Sequence, residues 1–501
     1  MERRSGVLMN ISSLPSPFAI GVFGREAEGF AASIKEMGFS EWQILPLNTV
    51  GAGESPYSSD GAFSGNIMYI DPLTLMEDGY VTEQDVQMCI YNGSPYSVDY
   101  GFAMQAITRL MKTAYASMTD ECKKDVERFL KDKEAFNYAY YKALKEHFEN
   151  KPFYEWDDEF RNYKKALKHK KEFADSILFH GFCQYIFTKQ WFALKEKINA
   201  KKVNIIGDMP IYVGLDSADV WAHTELFLID PDTYRPNLVA GVPPDAFSED
   251  GQLWGNPLFD WAEMEKSGFQ WWIDRIKYSL KLYDTVRIDH FRGIASFWAV
   301  GPDEKTARNG KWMKGPGMKL FKAVNAQIDS PSIIAEDLGV FGKDVVRLLK
   351  STGFAGMRVI QFAFGGDDSV HLPHNYTENC VVYTGTHDNN TLLGWLYDTD
   401  PSSRDQALEY CKFSGDWGQG GEYSPSCRAI IDTIWSSCAG LVVIPVQDMC
   451  GYGSDTRMNC PGVAEGNWRP RFTSEQLSRI DKEYFAKINR VYFRSFEKNN
   501  G

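Results

Sequence analysis

Short apolar segments recur along the chain, and most of them close with polar residues. Their apolar runs are nearly continuous, a pattern that indicates strands buried on both faces, as in a parallel sheet covered by helices. Strands are predicted in eight segments, at 6–14, 41–47, 203–213, 284–291, 332–339, 357–364, 380–389 and 441–449.

Amphipathic helical patterns separate several of these strands. They include GREAEGFAASIKEMG before the second strand, WWIDRIKYSLKLY before the fourth, MKLFKAVNAQI before the fifth and KDVVRLLKSTG before the sixth. Strands that alternate with helices indicate βα units, and eight such units predict the α/β class and a (β/α)8 TIM barrel. A doubly wound open sheet remains an alternative on this pattern alone.

Two long stretches interrupt the alternation. Residues 48–202 separate the second strand from the third, which is far more than an ordinary loop. We therefore predict a largely helical insertion at 75–200. A second stretch, 214–270, is rich in Pro, Gly, Asp and Trp and predicts loops at the barrel mouth, with a lid at 241–256. The whole chain, 1–501, is expected to be a single catalytic barrel that carries these insertions.

The composition narrows the range of partners and locations. The net charge is −13, so no basic surplus is present to neutralise phosphates, and a nucleic-acid partner is not expected. No apolar run reaches the roughly 18 residues that a membrane-spanning helix needs. The amino-terminal segment also lacks the pattern of a signal peptide. We expect no membrane association and a cytoplasmic location.

The cysteines and glycines give no sign of a bound cofactor. The nine cysteines are scattered without CxxC or Cys/His ligand spacing, so free thiols are expected rather than disulfides or a zinc site. Neither GxGxxG after a strand nor GxxxxGK[ST] occurs, so no nucleotide-binding loop is predicted. We therefore expect no cofactor and no metal.

Polar residues gather where the predicted strands end. In a parallel barrel the carboxyl ends of the strands meet at one mouth, where active sites lie. Without a phosphate loop, a metal spacing or a nucleophile elbow, paired carboxylates are the natural catalytic groups. The residues at these ends are Asp208, Arg287, Asp289, His290, Glu336, Asp337, His387, Asp388 and Asp448.

Two of these carboxylates suit glycoside chemistry. Retaining enzymes place a nucleophile and an acid/base roughly 5–5.5 Å apart, and neighbouring strands lie about 4.8 Å apart. Asp289 and Glu336, which end the fourth and fifth strands, fit that range. Arg287 shares a strand face with Asp289 and is expected to keep it ionised. Repulsion from nearby carboxylates is expected to raise the pKa of Glu336, so that it arrives protonated.

The motifs RIDHFRG, AEDLG and THDN, in that order, resemble the catalytic motifs of the α-amylase clan. Longer segments, namely SLPSPFAIG, SPYSSDGAFSGN, GDMPIYVGLDSADVWAH and GVPPDAFSEDGQLWGNP, resemble the 4-alpha-glucanotransferases of glycoside hydrolase family 77, the amylomaltases and disproportionating enzymes. The resemblance runs from about residue 5 to residue 471. It implies retaining transfer of an α-1,4-glucan segment to the 4-hydroxyl of an acceptor glucan or glucose.

The resemblance also implies a role for individual residues. Asp289 would be the nucleophile, Glu336 the general acid/base and Asp388 the group that stabilises the transition state. Tyr57 would stack on the donor sugar, and Trp254 would lie over the acceptor side. The full set of residues expected to bind substrate is Tyr57, Asp208, Trp254, Arg287, His290, Asp337, His387 and Asn459.

This chain departs from the family's pattern at a few positions. Asn390 follows THDN where an acidic residue is usual, and Asp60 with Gly61 replaces a more common Ser-rich pair. The motifs GNWRPR and NCPG stand where GNWQWR-like and NTPG motifs are usual. Because of these changes, the acceptor preference and the product size stay open. The expected reaction is not affected, since none of the changes falls on a proposed catalytic carboxylate.

The carboxylates alone do not decide between related functions. A hydrolase of the same clan would use the same groups, and a glycan-binding protein without activity is an alternative from another class. The family motifs favour the transferase, with α-1,4-glucans and maltooligosaccharides as donor and acceptor. The chain is expected to be a monomer or a homodimer.

Overall fold

Eight parallel strands close into a barrel in the computed structural model, which describes residues 3–244, 248–339 and 342–495. Each strand lies beside the next in chain order, and the eighth pairs with the first. Each strand overlaps one predicted segment, so the TIM barrel is confirmed and the open sheet is excluded. The strands are Arg4–Leu8, Glu41–Gln43, Asn204–Met209, Thr285–Ile288, Ile333–Ala335, Ala355–Val359, Cys380–Tyr383 and Leu441–Pro445.

The strands form because their apolar side chains meet a core on both faces. Val442, Val443 and Ile444 of the eighth strand are fully buried, as expected for a sheet covered by helices. In the third strand, a Cβ added at Gly207 would lie 2.0 Å from the Tyr283 ring. The ring therefore rests directly on the strand backbone, which only glycine allows there.

The pairing register sets which strand ends are neighbours. Ile288 of the fourth strand pairs with Ala335 of the fifth. Asp289 and Glu336 follow directly after this pair, and the Glu336 N–H donates to the Ile288 carbonyl at 3.0 Å. The register thus brings two carboxylates from distant parts of the sequence to adjacent positions at the mouth.

The segment between the second and third strands is mainly helical. It includes the range 75–200, for which the sequence predicts a largely helical insertion. Short 3-10 turns at Ala52–Glu54, Ile67–Tyr69 and Phe153–Glu155 accompany its α-helices. These helices are Pro72–Glu77, Glu83–Gln87, Tyr100–Ala116, Asp120–Phe129, Lys133–His147, Asp158–Arg161, Tyr163–Ala166 and Ala174–Ala200.

Further helices surround the barrel and extend its mouth. Within the described ranges, each helix is too short or too polar to cross a lipid bilayer. These further helices are Arg25–Glu36, Ala218–Ala222, Trp261–Lys266, Gln270–Leu282, Arg292–Ala295, Met318–Asn325, Lys343–Thr352, Leu392–Asp398, Pro401–Tyr410, Pro425–Ser436, Val446–Met449, Ser474–Ser478 and Lys482–Val491, with 3-10 turns at Ile11–Ser13, Thr224–Leu226, Ile360–Phe362, Pro373–Asn375 and Ser454–Thr456.

A separate antiparallel sheet has four strands, in the spatial order Gln252–Pro257, Val239–Val242, Ser296–Val300 and Gly310–Lys314. The first two lie within 214–270, which the sequence predicts to be rich in loops. Their pairing has an irregular register, and such short, glycine-containing strands give a weak pattern. The predicted lid at 241–256 includes residues 245–247, which lie outside the described residues.

Candidate active site

Arg287 links the ends of the third and fourth strands. It pairs in register with Asp208, and its Nη1 donates to both oxygens of that carboxylate (2.7 and 2.6 Å) and to Asp289 Oδ1 (3.0 Å). Burial alone would lower the pKa of Arg287, but the two carboxylates hold that pKa well above its ordinary value. A buried cation with two anionic partners therefore fixes the direction of the Asp289 side chain.

The Asp289 carboxylate lies at the edge of this ion-pair network, with 24% of its side chain exposed. Burial raises the pKa of Asp289 to about 6, and Arg287 opposes that rise. The charges of Asp208 and Asp388 raise it further. At neutral pH the group is mainly ionised, and the sign of the Arg287 effect agrees with the role expected from the sequence.

Glu336 is held by two backbone N–H groups. Its Oε2 accepts from His290 and its Oε1 from Leu338, both at 2.7 Å. Burial raises the pKa of Glu336 to about 7, Arg287 opposes the rise, and Asp289 adds to it. The expectation that neighbouring carboxylates supply this shift needs correction, because burial is the larger cause. A large fraction of Glu336 is protonated at neutral pH.

Asp388 has the opposite environment. Burial would raise the pKa of Asp388, but His387 Nε2, 3.2 Å from Oδ2, and the Asn459 side-chain amide, which donates to Oδ1 at 2.6 Å, lower it to about 2. Arg457 donates to the Asp388 carbonyl at 2.7 Å and to the Asn459 carbonyl at 2.8 Å. Asp388 is therefore a fixed anion over the whole neutral range.

Tyr57 connects the Asp388 group to the Arg287 group. Its hydroxyl donates to Asp208 Oδ2 at 2.7 Å, and its ring stacks on His387 with centroids 5.1 Å apart. The Trp468 ring lies 5.6 Å from the Tyr57 ring. The side chain thus joins the two ion-pair groups into one wall.

Trp254 packs against His290, the residue whose backbone N–H binds Glu336. Their rings meet edge to face with centroids 4.8 Å apart, and Trp254 is 37% exposed. Burial lowers the pKa of His290 to about 4, so its imidazole is neutral near pH 7. His290 has a φ of 45°, a left-handed conformation that is rare for a residue with a side chain. This turn directs its N–H to Glu336.

Asp337 and Asp448 form hydrogen bonds in other parts of the mouth. Asp337 accepts hydrogen bonds from the Met357 N–H (2.6 Å) and from Arg358 (3.2 Å), and only 2% of its side chain is exposed. Asp448 accepts from the Thr384 hydroxyl (2.5 Å) and from a backbone N–H. Both carboxylates tie neighbouring strand ends together, and neither joins the Arg287 or Asp388 groups.

A cavity with about 440 Å³ of empty space, part of it open to solvent, borders His387. Its walls come from the ends of the first, second, seventh and eighth strands and from the segment after the eighth, and they include Asn10, Asp448 and Arg457. Asp289 and Glu336 do not line it. The cavity therefore lies beside the Asp388 group and not between the two carboxylates of the fourth and fifth strands.

Most of the expected site residues fall into two sets of contacts, which the peptide link between Asp289 and His290 joins. Arg457 and Trp468 also belong to these contacts, and the sequence reasoning did not select them. Both lie in or next to the NCPG and GNWRPR motifs after the eighth strand. Those motifs marked the segment as important but did not indicate what these two side chains contact. The connected residues are Tyr57, Asp208, Trp254, Arg287, Asp289, His290, Glu336, His387, Asp388 and Asn459.

Comparison with known proteins identifies the family of this barrel. The profile of the glycoside hydrolase family described as 4-alpha-glucanotransferase matches residues 9–477, nearly the whole chain. The chain belongs to the 4-alpha-glucanotransferase family. Its activity is accordingly that of a 4-alpha-glucanotransferase, an amylomaltase, on α-glucans.

Individual relatives of this family extend over nearly the full chain. A 4-alpha-glucanotransferase of Clostridium butyricum is 41% identical over 497 residues, covering 97% of this chain and 100% of that protein. One of Thermus thermophilus is 42% identical over 491 residues, covering 95% and 96%. The solved structure of the amylomaltase from Streptococcus agalactiae in complex with acarbose is 38% identical with a TM-score of 0.94, covering 99% of this chain and 100% of that one.

Proposed function

We propose that Asp289 is the nucleophile and Glu336 the general acid/base of a retaining double displacement on α-1,4-glucans. The observation that carries this proposal is the pair of adjacent strand ends, Asp289 after Ile288 and Glu336 after Ala335, in matched register. The two carboxylates differ in the way the reaction needs. Asp289 is held by a cation, and burial keeps the pKa of Glu336 at about 7.

In the first step, an ionised Asp289 oxygen attacks the anomeric carbon of the donor glucan. The bond between that carbon and the glycosidic oxygen breaks, and Glu336 gives its proton to the leaving 4-oxygen. The leaving chain departs with a new 4-hydroxyl. The donor segment remains bound to Asp289 as a glycosyl ester, and Glu336 is left ionised.

In the second step, the 4-hydroxyl of an acceptor glucan attacks the same anomeric carbon. Its proton passes to Glu336, the ester bond to Asp289 breaks, and a new α-1,4 bond forms. Two inversions give net retention. Both carboxylates return to their starting states, so no cofactor enters the reaction.

The Asp388 group would form the donor side of the site. As a permanent anion held by His387 and Asn459, Asp388 can accept hydrogen bonds from sugar hydroxyls and stabilise positive charge at the anomeric carbon. The Tyr57 ring would stack on the same sugar. Asp208 supports this side indirectly, because Arg287 and Tyr57 occupy its carboxylate.

The Trp254 and His290 pair would form the acceptor side. The partly exposed Trp254 indole contacts His290, whose N–H binds Glu336, and such an indole suits the apolar face of a pyranose. The neutral imidazole of His290 can hydrogen-bond a hydroxyl. Water must be kept from the glycosyl ester for transfer to exceed hydrolysis. We assign that exclusion to the strands around Trp254 together with a filled acceptor position, and we interpret Asp337 as a support of the mouth.

Incubation with maltotriose as the sole substrate tests the proposal. Transfer produces glucose and a ladder of longer chains while the number of reducing ends stays constant. A rising number of reducing ends would instead favour hydrolysis. The variant Asp289→Asn should lose chain redistribution, and a variant that matched the wild type would contradict the assigned nucleophile. The oligomeric state, a monomer or a homodimer, and the cytoplasmic location stay predictions.

A further inference from the structure

One helix of the long insertion makes charged contacts with loops at the barrel mouth. In the helix Lys133–His147, Lys142 Nζ lies 2.9 Å from Asp60 Oδ2 and Lys145 Nζ lies 2.7 Å from Asp216 Oδ2. Near its start, Glu134 lies 3.0 Å from His223 Nε2. The helix therefore contacts the mouth loops at three points along its length.

The Asp60–Lys142 contact is partly buried and has several supports. The two side chains are 25% and 28% exposed. The Asp60 carboxylate also accepts from the hydroxyls of Thr49 and Tyr138. Burial would raise the pKa of Asp60, but Lys142 and the hydroxyl donors lower it. Ion pairs of this kind hold geometry better than exposed ones, and loss of one partner leaves a costly charge behind.

Asp60 is three residues from Tyr57. Residues 55–66 contain no helix or strand, so hydrogen bonds to neighbouring segments determine where this segment lies. The Asp60 carbonyl accepts from the Ala218 N–H at 2.9 Å, and the ion pair with Lys142 adds a contact through the Asp60 side chain.

The Tyr57 hydroxyl donates to Asp208, Asp208 accepts from Arg287, and Arg287 donates to Asp289. The route from the inserted helix therefore has three parts. The Lys142–Asp60 ion pair comes first, and three residues of backbone then join Asp60 to Tyr57. Direct hydrogen bonds lead from Tyr57 to the carboxylate assigned as nucleophile.

We propose that Lys142 and Asp60 are positioning residues for the transfer reaction. Their ion pair fixes the Tyr57 segment against the inserted helix, and Tyr57 in turn orients Asp208 and the Arg287–Asp289 pair. This inference rests on the proposed function, because it acts through Tyr57 and Asp289.

The first test compares Lys142→Met and Asp60→Asn with wild type in the maltotriose reaction. The methionine keeps the aliphatic stem of Lys142 and removes its charge. We expect kcat to fall about ten-fold in each variant with KM changed less than about two-fold, because small displacements near reacting groups cost rate. The matched control is Lys165→Met. Lys165 pairs with Asp158 in the same insertion, and its loss should leave kcat unchanged.

The second test separates positioning from simple loss of folding. The Lys142→Met change is repeated in a Tyr57→Phe background, which lacks the hydroxyl that reaches Asp208. If the pair acts through that hydroxyl, the ten-fold effect shrinks to within about two-fold, since coupled residues are not additive. An unchanged ten-fold loss in that background would overturn the proposal, even if Lys142→Met also melts at a lower temperature.

The outcomes distinguish this inference from the proposed function. Wild-type protein that fails to redistribute maltotriose contradicts the proposed function itself. Wild-type protein that redistributes it, with Lys142→Met equal to Lys165→Met, contradicts the positioning role alone. A ten-fold loss in Lys142→Met that disappears in the Tyr57→Phe background supports both.

Discussion

Asp289 and Glu336 differ in the partners that hold them, although they sit side by side. Asp289 accepts a hydrogen bond from the Arg287 guanidinium, which favours the ionised form, whereas Glu336 is more deeply buried and accepts from two backbone N–H groups. Burial raises the pKa of both groups, to about 6 and about 7. The hydrogen bond from Arg287 supports the proposed role of Asp289 as an ionised nucleophile, and the burial of Glu336 supports its proposed role as proton donor.

These pKa values predict a narrow bell-shaped pH profile. Activity should rise as pH increases through about 6, where Asp289 becomes ionised, and fall through about 7, where Glu336 loses its proton. The dependence of kcat/KM for maltotriose on pH measures these two limbs. Because the two carboxylates interact, each limb reports a pKa of the pair and not of one residue. An optimum above pH 8 would contradict the assignment.

Removing the carboxyl of Glu336 should affect donors unequally. Glu336→Ala is expected to slow transfer from maltotriose by about 10²–10⁴-fold, because the leaving sugar needs a proton. A maltosyl fluoride donor releases fluoride, which needs no proton, so the variant should still form the glycosyl ester from it. The rate of that step should no longer fall at alkaline pH. An equal loss of rate with both donors would contradict the proton-donor role of Glu336.

Neutralising Asp388 should change both rate and pH dependence. Asp388→Asn keeps the shape of the side chain and removes its charge, so kcat is expected to fall by about 10²–10³-fold. The Asp388 charge is also one of the groups that raise the pKa of Asp289. Asp388 also favours the charged form of His387, whose charge lowers the pKa of Asp289 to a smaller extent. The acidic limb of kcat/KM should therefore move slightly to lower pH in the variant, and a limb that moves to higher pH would contradict this order of effects.

At the level of elements, the strands supply position and the residues just after them supply chemistry. His290 shows this division, because its left-handed backbone turns the N–H toward Glu336 directly after the fourth strand. Gly207 shows the complementary constraint inside a strand, where the Tyr283 ring leaves no room for a Cβ. The site depends on both the strand backbone and the turn that follows it.

Gly207 and Gly29 offer a matched pair of substitutions. Gly207→Ala would force a Cβ into the Tyr283 ring and should lower the free energy of unfolding by about 1–3 kcal/mol. A Cβ at Gly29, in the exposed face of the helix Arg25–Glu36, meets nothing within 4 Å, and Gly29→Ala should stabilise by roughly 0.5–1 kcal/mol. Denaturant unfolding of both variants checks the opposite signs.

The barrel and its mouth were predictable from the sequence, because apolar runs ending in polar residues are a strong signal. The short antiparallel sheet around Val239–Val242 was not, since glycines and irregular pairing weaken any alternating pattern. The real partners of Asp337 and the contacts of Arg457 also escaped prediction. They depend on side-chain directions between segments far apart in sequence, which periodicity does not reveal.

On the scale of the whole molecule, two arginines bind backbone carbonyls at the end of the barrel opposite the mouth. Arg494 is fully buried and donates to the carbonyls of Trp435, Ser437, Ala439 and Arg4. Arg3 donates to the carbonyls of Trp435 and Ser437 as well. These carbonyls include the carboxyl end of the helix Pro425–Ser436, where positive charge is favourable. The contacts tie residues near both ends of the chain to the barrel.

Loss of Arg494 should therefore destabilise the fold without changing the chemistry. Arg494→Met removes the Arg494 bonds to the Ala439 and Arg4 carbonyls and leaves the Trp435 and Ser437 carbonyls with Arg3 alone. We expect a loss of about 3 kcal/mol or more in the free energy of unfolding. The exposed Arg490, in the helix Lys482–Val491, provides the control, since Arg490→Met should change stability by less than about 0.5 kcal/mol. Thermal melting and kcat per folded molecule report the two properties separately.

The matched register of the fourth and fifth strands also limits how this gene can change length. Side chains alternate along a strand, so deleting one residue within Ile333–Ala335 would turn Glu336 to the opposite face and separate it from Asp289. Added or lost residues are therefore better tolerated between strands than within them. The chain agrees with this rule, since its longest inserted segment lies wholly between the second and third strands.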